Sequence, residues 1–283
     1  MVWLDWHAGS ANPAVPVNRV TTIVVFALLA VLPWVFGAAA DTRTARVVRA
    51  CGYTALYALM AVLVGLSRFA GSRFDHLVAF NQANWAADMR AGAVVNAVLL
   101  TAIIGGYASV VLAVTARRIS GLATGVGLGA TAAVVVYAVL PFGNVTTPVD
   151  AVVLAILPLA AVIAAGLHAG NVRSGAIAGL CAGATTALLL NILTVTTMLL
   201  LPGHVDLEWA NPDPAVPHGT PFEVRMSVGD SAIKYEAGLL LGPLIGLALG
   251  AVAGGAGRAP LQSIEWTSTR LPAGSASNRR RGD

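Results

Sequence analysis

Long apolar runs separated by short polar stretches organise this chain from end to end. A helix that crosses a bilayer needs about 20 mostly apolar residues, and seven runs reach or approach that length. We predict a helix for each run, because the alternation typical of membrane-barrel strands is absent from them. The seven predicted spans cover residues 20–39, 50–66, 91–114, 121–141, 150–167, 174–201 and 235–257.

Composition supports the same class of protein. Of the 283 residues, 57% are apolar and only 11% are charged, whereas a soluble domain carries about 25% charged residues. We therefore predict an all-α integral membrane protein whose transmembrane domain covers residues 20–257. Residues 1–19 form an extracytoplasmic N-terminal segment in this interpretation, and residues 258–283 form a disordered basic tail.

The distribution of arginine predicts how the chain is oriented. Positive charge collects on the cytoplasmic side of membrane proteins. With the N-terminus outside, eleven arginines fall on the cytoplasmic side and six basic residues fall outside. We predict this orientation, in the inner membrane of a bacterium, since arginine outnumbers lysine 16 to 1 as in GC-rich genomes. The first run ends in "FGAAADT", but only Arg19 precedes it whereas Arg43, Arg46 and Arg49 follow it, so we expect a retained span and not a cleaved signal.

Glycines four residues apart are the strongest pattern inside the spans. Residues at this spacing share one helix face, and a glycine face lets a neighbouring backbone approach closely. We predict helix packing through these glycines, either within the chain or against another copy. The predicted packing residues are Gly121, Gly125 and Gly129 in the fourth span, Gly175, Gly179 and Gly183 in the sixth, and Gly238, Gly242, Gly246, Gly250 and Gly254 in the last.

The polar residues near the middle of the spans are uncharged. Ionisable side chains at that depth mark ion and proton pathways, and the sequence places none there. A structural role in hydrogen bonds between helices explains these uncharged polar residues well. The functional alternative is that they line a pathway for a small neutral solute. The residues of this possible pathway are Asn96, Asn191, Thr194 and Thr197.

Residues 202–230 are the longest polar interruption. Apolar and polar residues alternate in "HVDLEW" and again in "FEVRMSV", which is typical of strands. We predict an extracytoplasmic β-hairpin that caps the bundle between the last two spans. The preferred pairing sets Glu208 opposite Arg225 and puts Trp209 on the apolar face.

Metal binding and thiol chemistry have only weak support. His204, Asp206 and Glu208 share one face of the first predicted strand, and His218 lies near enough to join them as a ligand. A solvated polar face explains these residues better, so we expect no metal or cofactor. Cys51 and Cys181 lie in apolar segments, where we expect both to be buried thiols.

Function is the least determined property. No zinc-protease, serine-hydrolase or phosphate-loop motif is present, and a net charge of +4 is too weak for a nucleic-acid surface. We therefore expect a non-catalytic helical subunit or scaffold that binds other membrane proteins or a second copy of itself. A channel or facilitator lined by the sixth span is the alternative, and an outer-face or intramembrane enzyme is the third.

Overall fold

Seven α-helices make up the part of the chain that the computed structural model describes, namely residues 15–36, 40, 42–74, 83–116, 121–140, 148–200 and 221–257. No strand occurs among these residues. Each helix contains an apolar segment long enough to cross a bilayer, so the chain is a multi-pass helical membrane protein as predicted. The helices are α1 (Val15–Phe36), α2 (Arg43–Phe74), α3 (Ala83–Thr115), α4 (Leu122–Val139), α5 (Pro148–Ala169), α6 (Val172–Leu200) and α7 (Pro221–Ala256).

Several helices are longer than the spans within them. The apolar segment of α7 is Ala237–Ala256, although the helix begins at Pro221. A helix of 36 residues is about 54 Å long, against about 30 Å for the bilayer core. The part of α7 before residue 237 therefore extends beyond the span as a continuous helical arm.

The predicted β-hairpin is wrong in its second half. Residues 222–228, read as a strand from their alternation, belong to α7. Proline is well tolerated at the first position of a helix, because that residue needs no backbone donor, and Pro221 occupies this position. Arg225 is therefore helical, whereas Glu208 and Trp209 lie outside the described residues.

A two-residue link joins α5 to α6. Gly170 has a positive φ of 65°, the left-handed conformation in which helices commonly end. Asn171 then caps α6, since its Oδ1 accepts a hydrogen bond of 2.8 Å from the backbone N–H of Ser174. This link turns the chain back tightly, so α5 and α6 lie side by side.

Helix α6 is the centre of the bundle. It contacts α2, α4, α5 and α7, and it contains the most buried of the seven candidate spans. The remaining helices α1 and α3 pack against each other and against α2. A large apolar core joins this group to the rest of the bundle through Leu188 of α6 and Leu239 of α7.

The two cysteines differ in exposure. Cys181 of α6 is buried, as predicted, beside Val114 and Leu122. Cys51 of α2 is exposed, so the prediction of a buried thiol is wrong there. The next residue, Gly52, faces Val111 of α3, and one step along a helix turns the side chain by about 100°. Cys51 therefore points away from that contact.

Candidate functional site

The interface between α6 and α7 is built from glycine on both sides. A Cβ placed on Gly179 would lie 2.7 Å from the Cα of Gly250, and one on Gly250 would lie 2.8 Å from the Cα of Gly179. Real Cβ atoms essentially never approach a neighbour within 3.0 Å, so neither position has room for a side chain. Gly175 faces Gly254 with a corresponding distance of 2.8 Å, while Gly183 faces Gly242 and Gly246. The two helices are thus antiparallel, with backbone against backbone.

Helix α4 approaches a neighbouring face of α6. A Cβ on Gly125 would lie 3.2 Å from the Cα of Ala178, and one on Gly129 would lie 2.9 Å from the Cα of Ala182. The matched positions rise together along both helices, so α4 and α6 are parallel neighbours. Helix α6 therefore presents two adjacent small-residue faces, one toward α7 and one toward α4.

Three other glycines differ in how well their spacing along the sequence predicts their helix contacts. Gly238, the first residue of the predicted ladder in the last span, has nothing within 4 Å of an added Cβ. Gly121 precedes α4 with a positive φ of 85°, so it serves the turn as well as the approach to Ala178. Gly166 of α5 was not predicted, yet a Cβ there would lie 3.0 Å from the Cα of Gly250. Gly170 lies four residues after it, but Gly170 is in the turn that follows α5 and an added Cβ there would meet nothing within 4 Å, so the two do not form a packing ladder.

The polar side chains of α6 are buried within the bundle. Thr186, Asn191, Thr194 and Thr197 are each less than 10% exposed. The Thr186 hydroxyl can donate to the carbonyl oxygen of Gly129 in α4 at 3.0 Å or to that of Ala182 at 2.9 Å. The hydroxyls of Thr197 and of Tyr137 in α4 also form a hydrogen bond. Two of these side chains therefore connect α6 to α4.

Asn191 and Asn96 lie in different environments. Asn191 is buried, and its amide donates to the carbonyl oxygen of Ala187 one turn earlier at 2.9 Å. Asn96 of α3 is exposed, in a stretch where Val95 and Val98 are each more than 60% exposed. The structure thus groups Asn191 with Thr194 and Thr197 on α6 and leaves Asn96 at the perimeter.

A tyrosine of α3 bonds to the backbone of α7. The Tyr107 hydroxyl donates to the carbonyl oxygen of Leu239 at 2.8 Å. In a regular helix the carbonyl of Leu239 would accept a hydrogen bond from the N–H of residue 243. That residue is Pro243, which has no N–H, so this carbonyl lacks its usual donor within α7. No local sequence pattern predicts this bond, because it joins positions 132 apart along the chain.

An arginine caps the end of α3. Arg49 of α2 donates from Nε to the Thr115 hydroxyl at 2.8 Å and from Nη2 to the Leu112 carbonyl at 3.4 Å. The last four carbonyls of a helix have no partner within it, and cations near this end are stabilising. Arg49 is therefore explained by helix capping at the point where α2 and α3 meet.

The predicted metal ligands His204, Asp206, Glu208 and His218 lie outside the described residues. Within the described part of the chain, no three His, Cys, Asp or Glu side chains come together as a metal site would require. Comparison with protein-family models, curated proteins and solved structures gives no match for this chain. The candidate site is therefore a packed helical centre in which small residues and hydrogen bonds between uncharged groups join α4, α6 and α7.

Proposed function

We propose that this protein is a non-catalytic helical subunit or scaffold of a membrane complex, in the inner membrane of a bacterium. In this proposal the N-terminus lies outside and the C-terminus lies in the cytoplasm. The observation that carries the proposal is the way α6 is enclosed: glycines of α7 cover one face and glycines of α4 cover the next. Close backbone contacts of this kind favour one fixed arrangement of helices over a moving one.

The glycine ladders are proposed to hold the bundle together from within. Lipid gives helices no hydrophobic reason to associate, so close packing and interhelical hydrogen bonds must supply the attraction. The short distances from Gly179 to Gly250 and from Gly129 to Ala182 support this role. The hydrogen bond from Thr186 to Gly129 supports it too, because it lies in the same interface.

Partner binding is proposed to use surfaces other than the glycine face of α7. Gly242, Gly246, Gly250 and Gly254 all face α6 of the same chain. A second copy or another membrane protein would have to displace α6 to reach them. The helical arm at the start of α7 is better placed, since it precedes the apolar segment of that helix.

Native mass spectrometry of the protein, extracted from its own membrane at its natural level, tests this function. A foreign protein present in fixed stoichiometry is the expected result. A lone monomer or a closed homo-oligomer contradicts the role as a subunit of a mixed complex.

A facilitator for a small neutral solute is the second candidate. It is favoured by one observation, the run of buried polar residues along α6 that includes Asn191, Thr194 and Thr197. If α6 lines a pathway, Asn191→Leu abolishes solute flux into proteoliposomes while the protein stays assembled. If α6 is only structural, no solute enters faster than through protein-free vesicles, and the variant changes stability alone.

A further inference from the structure

Pro243 leaves a gap in the hydrogen bonding of α7. A proline has no N–H, so the carbonyl oxygen of Leu239 cannot make its usual bond four residues along the helix. Leu239 is 2% exposed, and within a bilayer no water reaches such a group. An unsatisfied backbone carbonyl in this setting costs several kcal/mol. The Tyr107 hydroxyl, 2.8 Å away, fills this need from another helix.

The close glycine packing of α7 on α6 ends within the turn that contains this gap. After Pro243, Gly246, Gly250 and Gly254 lie directly against α6, with no room for a side chain. Before it, Gly242 also lies against Gly183, whereas an added Cβ on Gly238 would touch nothing. The backbone contacts with α6 thus end in the same turn in which the hydrogen bonding of α7 is interrupted.

The segment before the proline continues as the helical arm beyond the span. The arm covers residues 221–236, which makes it about 24 Å long at the usual helical rise. A helix transmits movement of one end to the other as far as its hydrogen bonding is continuous. Movement of the arm is therefore transmitted along α7 as far as Leu239. At Pro243 the series of backbone hydrogen bonds is interrupted.

We propose that Pro243 is a hinge and that the Tyr107 hydroxyl is the latch that holds it closed. With the bond to Leu239 made, the arm is fixed to α3 and the bundle is in the state described here. With the bond broken, the arm and the residues up to Leu239 turn about Pro243 while the glycine-packed half of α7 stays on α6. The position of the arm is thereby coupled to the contact between α3 and α7.

Three variants separate this latch from ordinary packing. Tyr107→Phe keeps the ring and removes only the hydroxyl that bonds to Leu239. Pro243→Ala restores an N–H that can serve the same carbonyl from within α7. Tyr137→Phe is the matched control, because it removes another interhelical hydroxyl contact, the one with Thr197, at a site away from Pro243.

Distances between spin labels report the position of the arm in the full-length protein in lipid nanodiscs. Cys51 and Cys181 are replaced by alanine, and labels are attached at Ser227→Cys in the arm and at Val149→Cys. Val149 is 69% exposed at the start of α5. The expected result is a narrow distribution in the parent, a broader and longer one in Tyr107→Phe, and a narrow one again when Pro243→Ala is added. The Tyr137→Phe distribution should match the parent.

Isotope-edited infrared spectroscopy of ¹³C-labelled leucine carbonyl groups tests the bond itself, with Leu239→Val identifying the band. In the parent this carbonyl should absorb at the lower frequency of a bonded group, and in Tyr107→Phe it should shift upward. A Leu239 band at the free-carbonyl frequency in the parent would overturn the proposal without any need for a variant to fold. Unchanged label distances in Tyr107→Phe, equal broadening in Tyr137→Phe, or no rescue by Pro243→Ala would each overturn it as well.

Discussion

Gly179 of α6 and Gly250 of α7 are so close that a methyl group added to either would lie within 2.8 Å of the other's Cα. No rearrangement of a flexible side chain can relieve that overlap, because the atoms met are backbone. The helices themselves would have to separate, and every neighbouring glycine contact would lengthen with them. The smallest possible substitution is thus a sensitive test of this interface.

We expect Gly179→Ala to destabilise the protein strongly, although alanine favours a helix by about 1 kcal/mol over glycine. The overlap with Gly250 opposes that gain, since pushing the two helices apart also costs the contacts beside it. The measurement is the free energy of unfolding by SDS titration in mixed micelles.

Gly127→Ala is the matched control for that variant. Gly127 lies in the middle of α4, and an added Cβ would meet nothing within 4 Å. We expect Gly127→Ala to leave the free energy of unfolding unchanged or to raise it by up to about 1 kcal/mol, the amount by which a helix favours alanine over glycine. Equal effects at positions 127 and 179 would show that the α6–α7 interface does not limit stability.

We expect Thr186→Val to destabilise the contact between α4 and α6. Thr186 is buried, and its hydroxyl lies 3.0 Å from the Gly129 carbonyl of the other helix. Hydrogen bonds between membrane helices contribute about 0.6 kcal/mol on average and about 1.7 kcal/mol at most. Thr131→Val is the control, because its exposed hydroxyl bonds only to Gly127 of its own helix. If Thr131→Val lost as much stability as Thr186→Val, the loss could not be assigned to the hydrogen bond between α6 and α4.

We expect substitutions at Gly170 to destabilise the protein through backbone strain and not through steric overlap. The φ of this residue is 65°, and an added Cβ would meet nothing within 4 Å. A left-handed conformation costs about 1–2 kcal/mol for a residue with a Cβ. Gly170→Val should lose at least that much stability, and Gly170→Asn should lose less, since asparagine visits this region more readily. Thermal unfolding of the two variants side by side checks the order, and the reverse order would contradict it.

We expect Arg49→Met to destabilise the protein by about 1.5–3 kcal/mol, the usual range for hydrogen bonds to a charged group. The substitution leaves the Thr115 hydroxyl and the Leu112 carbonyl without their cationic donor. Arg46→Met, at an exposed position one turn earlier, should stay within about 0.5 kcal/mol of the parent. Chemical denaturation of both variants in the same detergent distinguishes capping by Arg49 from a general effect of charge.

Segment length and composition were enough to predict the seven spans, because each apolar run is about as long as a bilayer is thick. The inference of a strand from alternation failed at residues 222–228, where apolar and polar residues alternate within a helix. That pattern is short, and Pro221 stands directly before it, at the first position of a helix, where proline is favoured. The continuous helix through to Ala256 could not be seen from the alternation alone.

The partners of individual residues were beyond the reach of sequence. Spacing places Gly175, Gly179 and Gly183 on one face of α6, but it does not say which helix lies opposite. The bond from Tyr107 to Leu239 joins two helices far apart in the chain, and nothing local to either residue announces it. Gly166 forms no ladder within α5, because Gly170, four residues later, lies in the turn after the helix, so only the position of Gly166 beside Gly250 reveals its contact.

The parallel pairing of α4 with α6 has a consequence for how the protein is made. The glycine face of α4 meets Ala178 and Ala182, which the ribosome adds roughly fifty residues after it. At a synthesis rate of about 5–20 residues per second, α4 is made several seconds before the part of α6 that it contacts. Its exposed backbone face is open to other proteins during that interval, so synthesis rate and insertion order, as well as final stability, decide how much of this chain assembles correctly.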